Sequence, residues 1–323
     1  MHLAPAAASS TVDWAWRVLR AARALAEELE AGAVARTFDV NAHGVLEPCA
    51  DGRHGAVLAW RPGAGWHSHL PPEDARSGLL DLYLPICGAT TARPITVGHL
   101  GQSLDGFIAT HSGDSQFVTG EHNLEHLHRM RALCDAVVVG AGTVAADDPQ
   151  LTVRRVEGPN PLRVVFDPGR RLEASYQVFT DEGTPTVYLC SRALVRPGER
   201  RIGAATIVGL PTDDPGAGVV EVIAFLRTRG CTRVFVEGGG VTVSAFVEAN
   251  LLDRLQIAIA PVLIGDGRPA IRLTPRDRLQ DCRRPQYRVF RMGSDVIFDC
   301  DLHGQADDDR SGPRDAAHIY QVI

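Results

Sequence analysis

The 323-residue chain holds no Cys-x-x-Cys pair, no internal repeat and no lysine or arginine run interleaved with aromatics. The first absence removes the common zinc-ribbon and dithiol redox motifs. The last, joined to a formal net charge of −6, argues against a general nucleic-acid binder. No stretch approaches the roughly 18 consecutive apolar residues of a membrane span. The opening Met1-His2-Leu3-Ala4-Pro5 lacks the basic start and apolar core of a secretion signal. Seven scattered cysteines fit a reducing compartment, with Cys134, Cys190 and Cys231 in or beside apolar runs as small hydrophobes. A cytoplasmic protein is the expectation.

What is present is globular: 45% hydrophobic and 22% charged residues, enough for two domains or for one large domain with an appendage. Three zones follow. In residues 1–93, Trp14, Val18, Leu25 and Leu29 form an apolar stripe that predicts a helix over 13–31, capped by Thr11 or Asp13 and ended by Gly32. A segment rich in Gly, Pro, His and Trp follows, with short strands expected at 56–60 and 79–84. Residues 94–301 alternate strands (95–100, 136–139, 162–166, 186–190, 206–208, 233–236, 254–260) with helices (121–133, 219–229, 241–249). A hairpin (287–291, 296–300) turns at Met292-Gly293-Ser294-Asp295. This pattern predicts an α/β fold with a mainly parallel sheet, helices on both faces and an antiparallel C-terminal edge. Residues 302–323 read as a polar, loosely held tail.

The segment Val234-Phe235-Val236-Glu237-Gly238-Gly239-Gly240-Val241-Thr242 stops a buried strand at an acid and three glycines. Val243, Phe246 and Val247 then begin an amphipathic helix. Bare backbone and a helix start suit a phosphate or diphosphate, although the same junction also serves as a plain tight connection. Upstream, Gly101 falls where a strand gives way to Ser103-Leu104-Asp105-Gly106, and a polar loop, Ser112-Gly113-Asp114-Ser115-Gln116-Phe117-Val118-Thr119, follows. The strand at 136–139 leads into Thr143-Val144-Ala145-Ala146-Asp147-Asp148-Pro149-Gln150-Leu151-Thr152-Val153-Arg154, with two carboxylates and an arginine at a strand's carboxyl end. Arg131 and Arg154 suit bidentate phosphate binding, or are solvated surface residues. His122 and His126 have i, i+4 spacing but no His-Glu-x-x-His arrangement. With His128 they read as surface helix histidines, and no metal is expected.

Taken in order, these segments resemble the pyrimidine reductases of riboflavin biosynthesis, the reductase half of the bifunctional deaminase–reductase, with a dihydrofolate-reductase-like fold. The matching pieces are Ser103-Leu104-Asp105-Gly106, Gly113-Asp114-Ser115-Gln116, the run from Thr143 to Arg154, Val236-Glu237-Gly238-Gly239-Gly240 and Ala260-Pro261-Val262-Leu263-Ile264-Gly265. The resemblance implies NADPH as cofactor, its diphosphate held by Gly239, Gly240, Val241, Thr242, Val243, Ser244 and Ala245. Gly101, Phe117, Thr143 and Asp147 would line the nicotinamide. Ser115, Arg131, Leu151 and Arg154 would take a ribose phosphate, and Glu237 the pyrimidine. Asp147, His99 and Glu237 would be the catalytic groups, in a homodimer. The implied reaction reduces a ribosylaminopyrimidine 5′-phosphate to its ribitylamino product by hydride addition at C1′ of the opened sugar.

Two departures stand out. Many family members carry lysine four residues before the serine of Ser-Leu-Asp-Gly, where this chain has His99. The deaminase signature, His-x-Glu with a later Pro-Cys-x-x-Cys, is nowhere in residues 1–93. Two other readings stay open: the same fold reducing a pterin or another pathway-specific heterocycle, and a nucleotide-binding relative without catalysis.

Overall fold

The computed structural model describes residues 5–49, 56–116 and 118–305, with side chains from residue 11 to residue 303 of that range. It opens with helix α1 (Pro5–Gly32). Ala15, Val18, Leu19, Ala22, Ala26 and Leu29 recur at helical spacing and are all buried. The helix already runs from Pro5, so Thr11 and Asp13 lie inside it and neither caps its start. The alanines before Ser9, strong helix formers, carry it upstream.

Four short strands, β1 (Arg36–Val40), β2 (Leu46–Pro48), β3 (Leu58–Arg61) and β4 (Gly65–Ser68), make an antiparallel sheet in the order β2-β1-β3-β4. The strand expected at 79–84 is instead helix α2 (Ser77–Cys87). Its apolar run is too uniform for periodicity to separate helix from strand, and packing against α1 decides it.

The elements that follow are β5 (Ile95–Ser103), β6 (Phe107–Thr110), α3 (Glu121–Leu133), β7 (Ala136–Gly140), α4 (Ala141–Asp147), β8 (Leu162–Phe166), α5 (Gln177–Thr180) and β9 (Thr186–Ser191). Then come β10 (Arg201–Ile202), β11 (Ala205–Leu210), α6 (Pro215–Thr228), β12 (Arg233–Glu237), α7 (Gly240–Glu248), β13 (Arg254–Ala260), β14 (Gly267–Pro269), β15 (Pro285–Met292) and β16 (Asp295–Gln305). The large sheet runs β10-β11-β9-β8-β7-β12-β5-β13-β16-β15. Pairings from β11 through β13 are parallel, while β10 at one edge and β16-β15 at the other are antiparallel. The mixed α/β class with a mainly parallel sheet is therefore as the alternation implied. Residues 302–305 belong to β16 and not to a tail; the rest of the predicted tail lies outside the described residues.

Strand alternation divides the core in two. Val137, Val139, Phe235 and Val97 face Met130 and Leu133 of α3, while Ala136, Val138, Val234 and Val236 face Val243 and Phe246 of α7. The first cluster also takes in Trp14, Trp16, Trp60, Trp66 and Tyr83, so the N-terminal elements share a core with one face of the large sheet.

Two of the helix histidines are not on the surface. His126 and His128 are buried, and only His122 is exposed. Tyr83 Oη lies 2.6 Å from His126 Nδ1, and His126 Nε2 lies 3.0 Å from Gln256 Oε1. Gln256 Nε2 donates to Asp299, which fixes its amide and makes Oε1 an acceptor. His126 is therefore neutral with its proton on Nε2, and Tyr83 donates to Nδ1.

Burial pushes His126 down to about 3, while His128, depressed by burial and then by Arg131, Arg154 and Arg155, falls to about 4. An unfolded chain protonates these rings near 6.5. As pH falls through the window from about 6.5 toward these folded values, the unfolded state binds protons first and stability is lost. Between pH 7 and pH 5 His126 alone should remove about 2 kcal/mol. Urea unfolding should show that loss in the wild type and a shallower one in His126→Gln; identical losses would contradict the assignment.

Candidate active site

The parallel strands bring the ends of β5, β7 and β12 to one edge of the sheet, where ligands of such folds sit. β12 stops at Glu237. Gly238 then takes φ +100°, a conformation side chains oppose, and Gly239 caps α7. Gly240 comes so close to the next segment that a Cβ there would lie 2.1 Å from the Ala270 carbonyl oxygen. Thr143 Oγ1 accepts the Gly239 N–H at 2.8 Å, tying α4 to the glycine bend. The amides that open α7, those of Gly240 and Val241, precede any intrahelical acceptor and carry the helix's partial positive charge.

Not every residue of the Gly239 to Ala245 stretch faces outward. The Val243 side chain lies fully in the core, and Ser244 Oγ accepts the Arg272 N–H at 2.9 Å. Both face away from a ligand because an amphipathic helix must bury one stripe. Gly239, Val241 and Thr242 form the open part of the turn, with Val241 84% exposed; Gly240 is buried against the 269–270 segment, and Ala245 is half-buried a turn further on.

Arg131 of α3 reaches Glu237 in a bidentate pair. Nε donates to Oε2 at 2.8 Å and a terminal nitrogen donates to Oε1, while the other terminal nitrogen meets the Thr152 carbonyl at 3.2 Å. Both side chains are buried. Assigned separately to the phosphate and the pyrimidine ends of a substrate, they are each other's main partner, since neither charge survives burial alone. The Arg154 amide donates to His128 Nδ1 at 3.0 Å, and its exposed guanidinium meets Thr152 Oγ1 at 2.5 Å. Arg155, not singled out in the sequence although adjacent to Arg154, joins them. Burial, then Arg131 and Arg155, lowers the Arg154 pKa; Arg131 is balanced by Glu237 and Arg155 pairs with the exposed Glu121 at 3.4 Å, so Arg154 carries the excess positive charge of this patch.

On the other side of the bend, Thr143 and Asp147 share a face of α4, and Ser115 Oγ donates to Asp147 Oδ1 at 2.9 Å. Asp147 is exposed. Its neighbour Asp148 is left-handed at φ 41° and accepts three hydrogen bonds from Gln177, a structural role. Leu151, expected at the substrate, has its side chain in the core and can offer only backbone. Gly101 faces Thr119 and Asn123, and a Cβ there would lie 2.7 Å from Thr119 Cγ2. Phe117 lies outside the described residues.

Burial, then neighbouring His126, pushes the His99 pKa well below its usual value. The ring packs against His126 and Phe235, and among the described residues neither of its nitrogens has a partner in hydrogen-bonding geometry. A buried neutral imidazole cannot stand in for the family lysine's charge. The Ser-Leu-Asp-Gly motif is a knot: Ser103 Oγ donates to Asp105, whose carboxylate also accepts the Ile264 and Gly265 amides. These bonds, Ser103's first, hold its pKa at about 2.

Among the described residues no group of three or more His, Cys, Asp and Glu could hold a metal ion, and His126 spends both nitrogens internally. A cavity of about 470 Å³ beside Trp66, Asp81, Arg254 and Arg288 contains none of the candidate residues.

A family model described as the RibD C-terminal domain matches residues 95–298. The 2,5-diamino-6-ribosylamino-4(3H)-pyrimidinone 5′-phosphate reductase of Methanothermobacter thermautotrophicus is 34% identical over 223 residues, covering 66% of this chain and 100% of that protein. The protein of the same name from Archaeoglobus fulgidus is 33% identical, covering 54% of this chain and 83% of its own length. The solved structure of Acinetobacter baumannii RibD superposes with a TM-score of 0.57 at 23% identity, over 71% of this chain and 63% of that one, which establishes a shared fold.

Removing one partner of the buried pair exposes its weight. Arg131→Ala should destabilise the protein by about 3–5 kcal/mol in urea unfolding, with part regained on adding Glu237→Gln. A loss below about 1 kcal/mol, the scale of an exposed pair, would show that the pair is not buried in solution.

Proposed function

The chain belongs to the RibD C-terminal domain family, and on that premise we propose that it reduces a ribosylaminopyrimidine 5′-phosphate to the ribitylamino product in riboflavin biosynthesis. The observation that carries this reading is the placement of two anion-attracting features around the end of β12. The open first turn of α7 follows Glu237, and the Arg154–Arg155 patch adjoins its partner Arg131. A dinucleotide and a phosphorylated substrate together require two such places.

In this reading the cofactor is NADPH, which supplies hydride when bound. The residues fit it: Gly238 and Gly240 let Thr143 and the 269–270 segment pack close against the bend, and Gly240 and Val241, flanked by Gly239 and Thr242, offer amides at a helix start. Thr143, Asp147 and Gly101 line the nicotinamide side. Arg154 and Ser115 meet the ribose phosphate, and Glu237, oriented by Arg131, accepts hydrogen bonds from the pyrimidine. Asp147 Oδ1 holds the Ser115 hydroxyl in place. His99 contributes a neutral nitrogen beneath the site and no charge. Catalysis is then chiefly placement, the hydride chemistry belonging to the cofactor.

The proposal includes a homodimer, for which the exposed Tyr287 and Val289 of edge strand β15 offer apolar surface, and a cytoplasmic location. No helix among the described residues is long and apolar enough to cross a membrane. His99 in place of lysine favours one competitor, the same fold acting on another heterocycle such as a pterin.

Loss of one charge-assisted contact to phosphate is worth roughly tenfold to a hundredfold in binding. Arg154→Ala should therefore raise the KM for the ribosylaminopyrimidine phosphate by about tenfold or more and leave the NADPH KM unchanged. Equal damage to both constants would refute the phosphate assignment. Turnover of a pterin without turnover of the pyrimidine would transfer the activity to the competitor.

A further inference from the structure

Helix α3 is where the N-terminal extension meets the candidate site. From it Arg131 grips Glu237 and His128 receives the Arg154 amide. The same helix is held from behind at three heights. Tyr83 of α2 donates to His126 at 2.6 Å. The Arg129 guanidinium lies 6.0 Å from the Trp16 ring of α1. Arg23 of α1 donates to the Leu133 carbonyl and to Asp135, both at 2.8 Å. The loop that follows Arg154 is gripped too: Trp16 Nε1 donates to the Glu157 carbonyl at 2.9 Å, and Arg20 pairs with its carboxylate at 2.8 Å. Beneath them, Arg233 of β12 donates into the Ile86 and Cys87 carbonyls at the end of α2, four residues before Glu237.

Every element that presents a charged group on the substrate side is thus tied to α1 or α2. The glycine bend is tied instead to α4 and to the 269–270 segment. The contacts are also directional. Tyr83 donates to His126, His126 to Gln256 and Gln256 to Asp299, a chain that ends on the carboxylate held by Arg254. This fixes α3 against rotation as well as translation. A shift of about one ångström would stretch the 2.8 Å Arg131–Glu237 contact beyond hydrogen-bond range.

We infer that the N-terminal extension is a positioning element for the substrate half of the active site, acting through α3 and the 152–157 segment, with Tyr83 and Trp16 as its positioning residues. The inference rests on the reductase reading for what the site binds. It divides the protein into a substrate half braced directly by the extension and a cofactor half held chiefly by α4 and the 269–270 segment, with β12 joining the two.

Tyr83→Phe and Trp16→Phe in the full chain each keep an aromatic ring and delete one polar contact. Each should raise the KM for the ribosylaminopyrimidine phosphate about fivefold to tenfold, the scale of a small misplacement, and leave the NADPH KM within about twofold. Unchanged constants, or equal rises in both, overturn the inference. A wild type that turns nothing over removes the reductase reading instead. Hydrogen exchange then decides the inference without turnover. In either variant the amides of 128–133 and 152–157 should lose protection while those of α7 keep theirs, and unchanged protection or uniform loss overturns it. Should one variant fail to fold, the other is read by the same criteria.

Discussion

The buried pair between Arg131 and Glu237 is the constraint from which the rest of the site follows. A guanidinium and a carboxylate withdrawn from water each need the other, in good geometry and with remaining donors satisfied. That requirement docks α3 against the end of β12 and recruits the Thr152 carbonyl as a third partner. It leaves the Arg154 charge at the rim, beside Arg155, which pairs with Glu121. The glycine bend begins directly after Glu237, and α7 follows it.

The family's motifs divide into architecture and contact. Ser103, Asp105, Asp148 and Leu151 belong to the matched segments, yet they tie loops together or fill the core. Asp147, Arg154, Gly239, Val241 and Thr242 remain at least partly accessible. The chain has no lysine, so its 33 lysine-or-arginine positions are all arginine. Arginine stays charged when buried and grips carboxylates with two parallel donors, which suits the bidentate pairs to Glu237, Glu30 and Asp299. At position 99 the chain has a small ring that burial keeps neutral, and the site's positive charge lies chiefly with Arg154.

The elements and mainly parallel character of the large sheet were legible, though not its strand order, because its strands are short β-branched runs bounded by glycine, proline and acids, and its helices are long enough for their period to show. Helix α3 and strand β13 match the expected bounds at both ends. The segment around Leu79–Leu84 was not legible, because an apolar run with so few polar interruptions has no readable period, and only docking on α1 makes it helical. Helix α4 was hidden by its brevity. In the site, residue types and segments could be read but not partnerships: nothing local says that Arg131 meets Glu237, 106 positions away, or that His126 turns inward to Tyr83. Such pairings are set by long-range packing.

The most direct test is a crystal structure with NADPH and a ribosylaminopyrimidine phosphate bound. The account predicts the diphosphate across the first turn of α7, the substrate phosphate on Arg154, and Arg131 still clasping Glu237. A map in which Arg131 leaves Glu237 to bind phosphate, or in which the dinucleotide avoids the glycine bend, would contradict it.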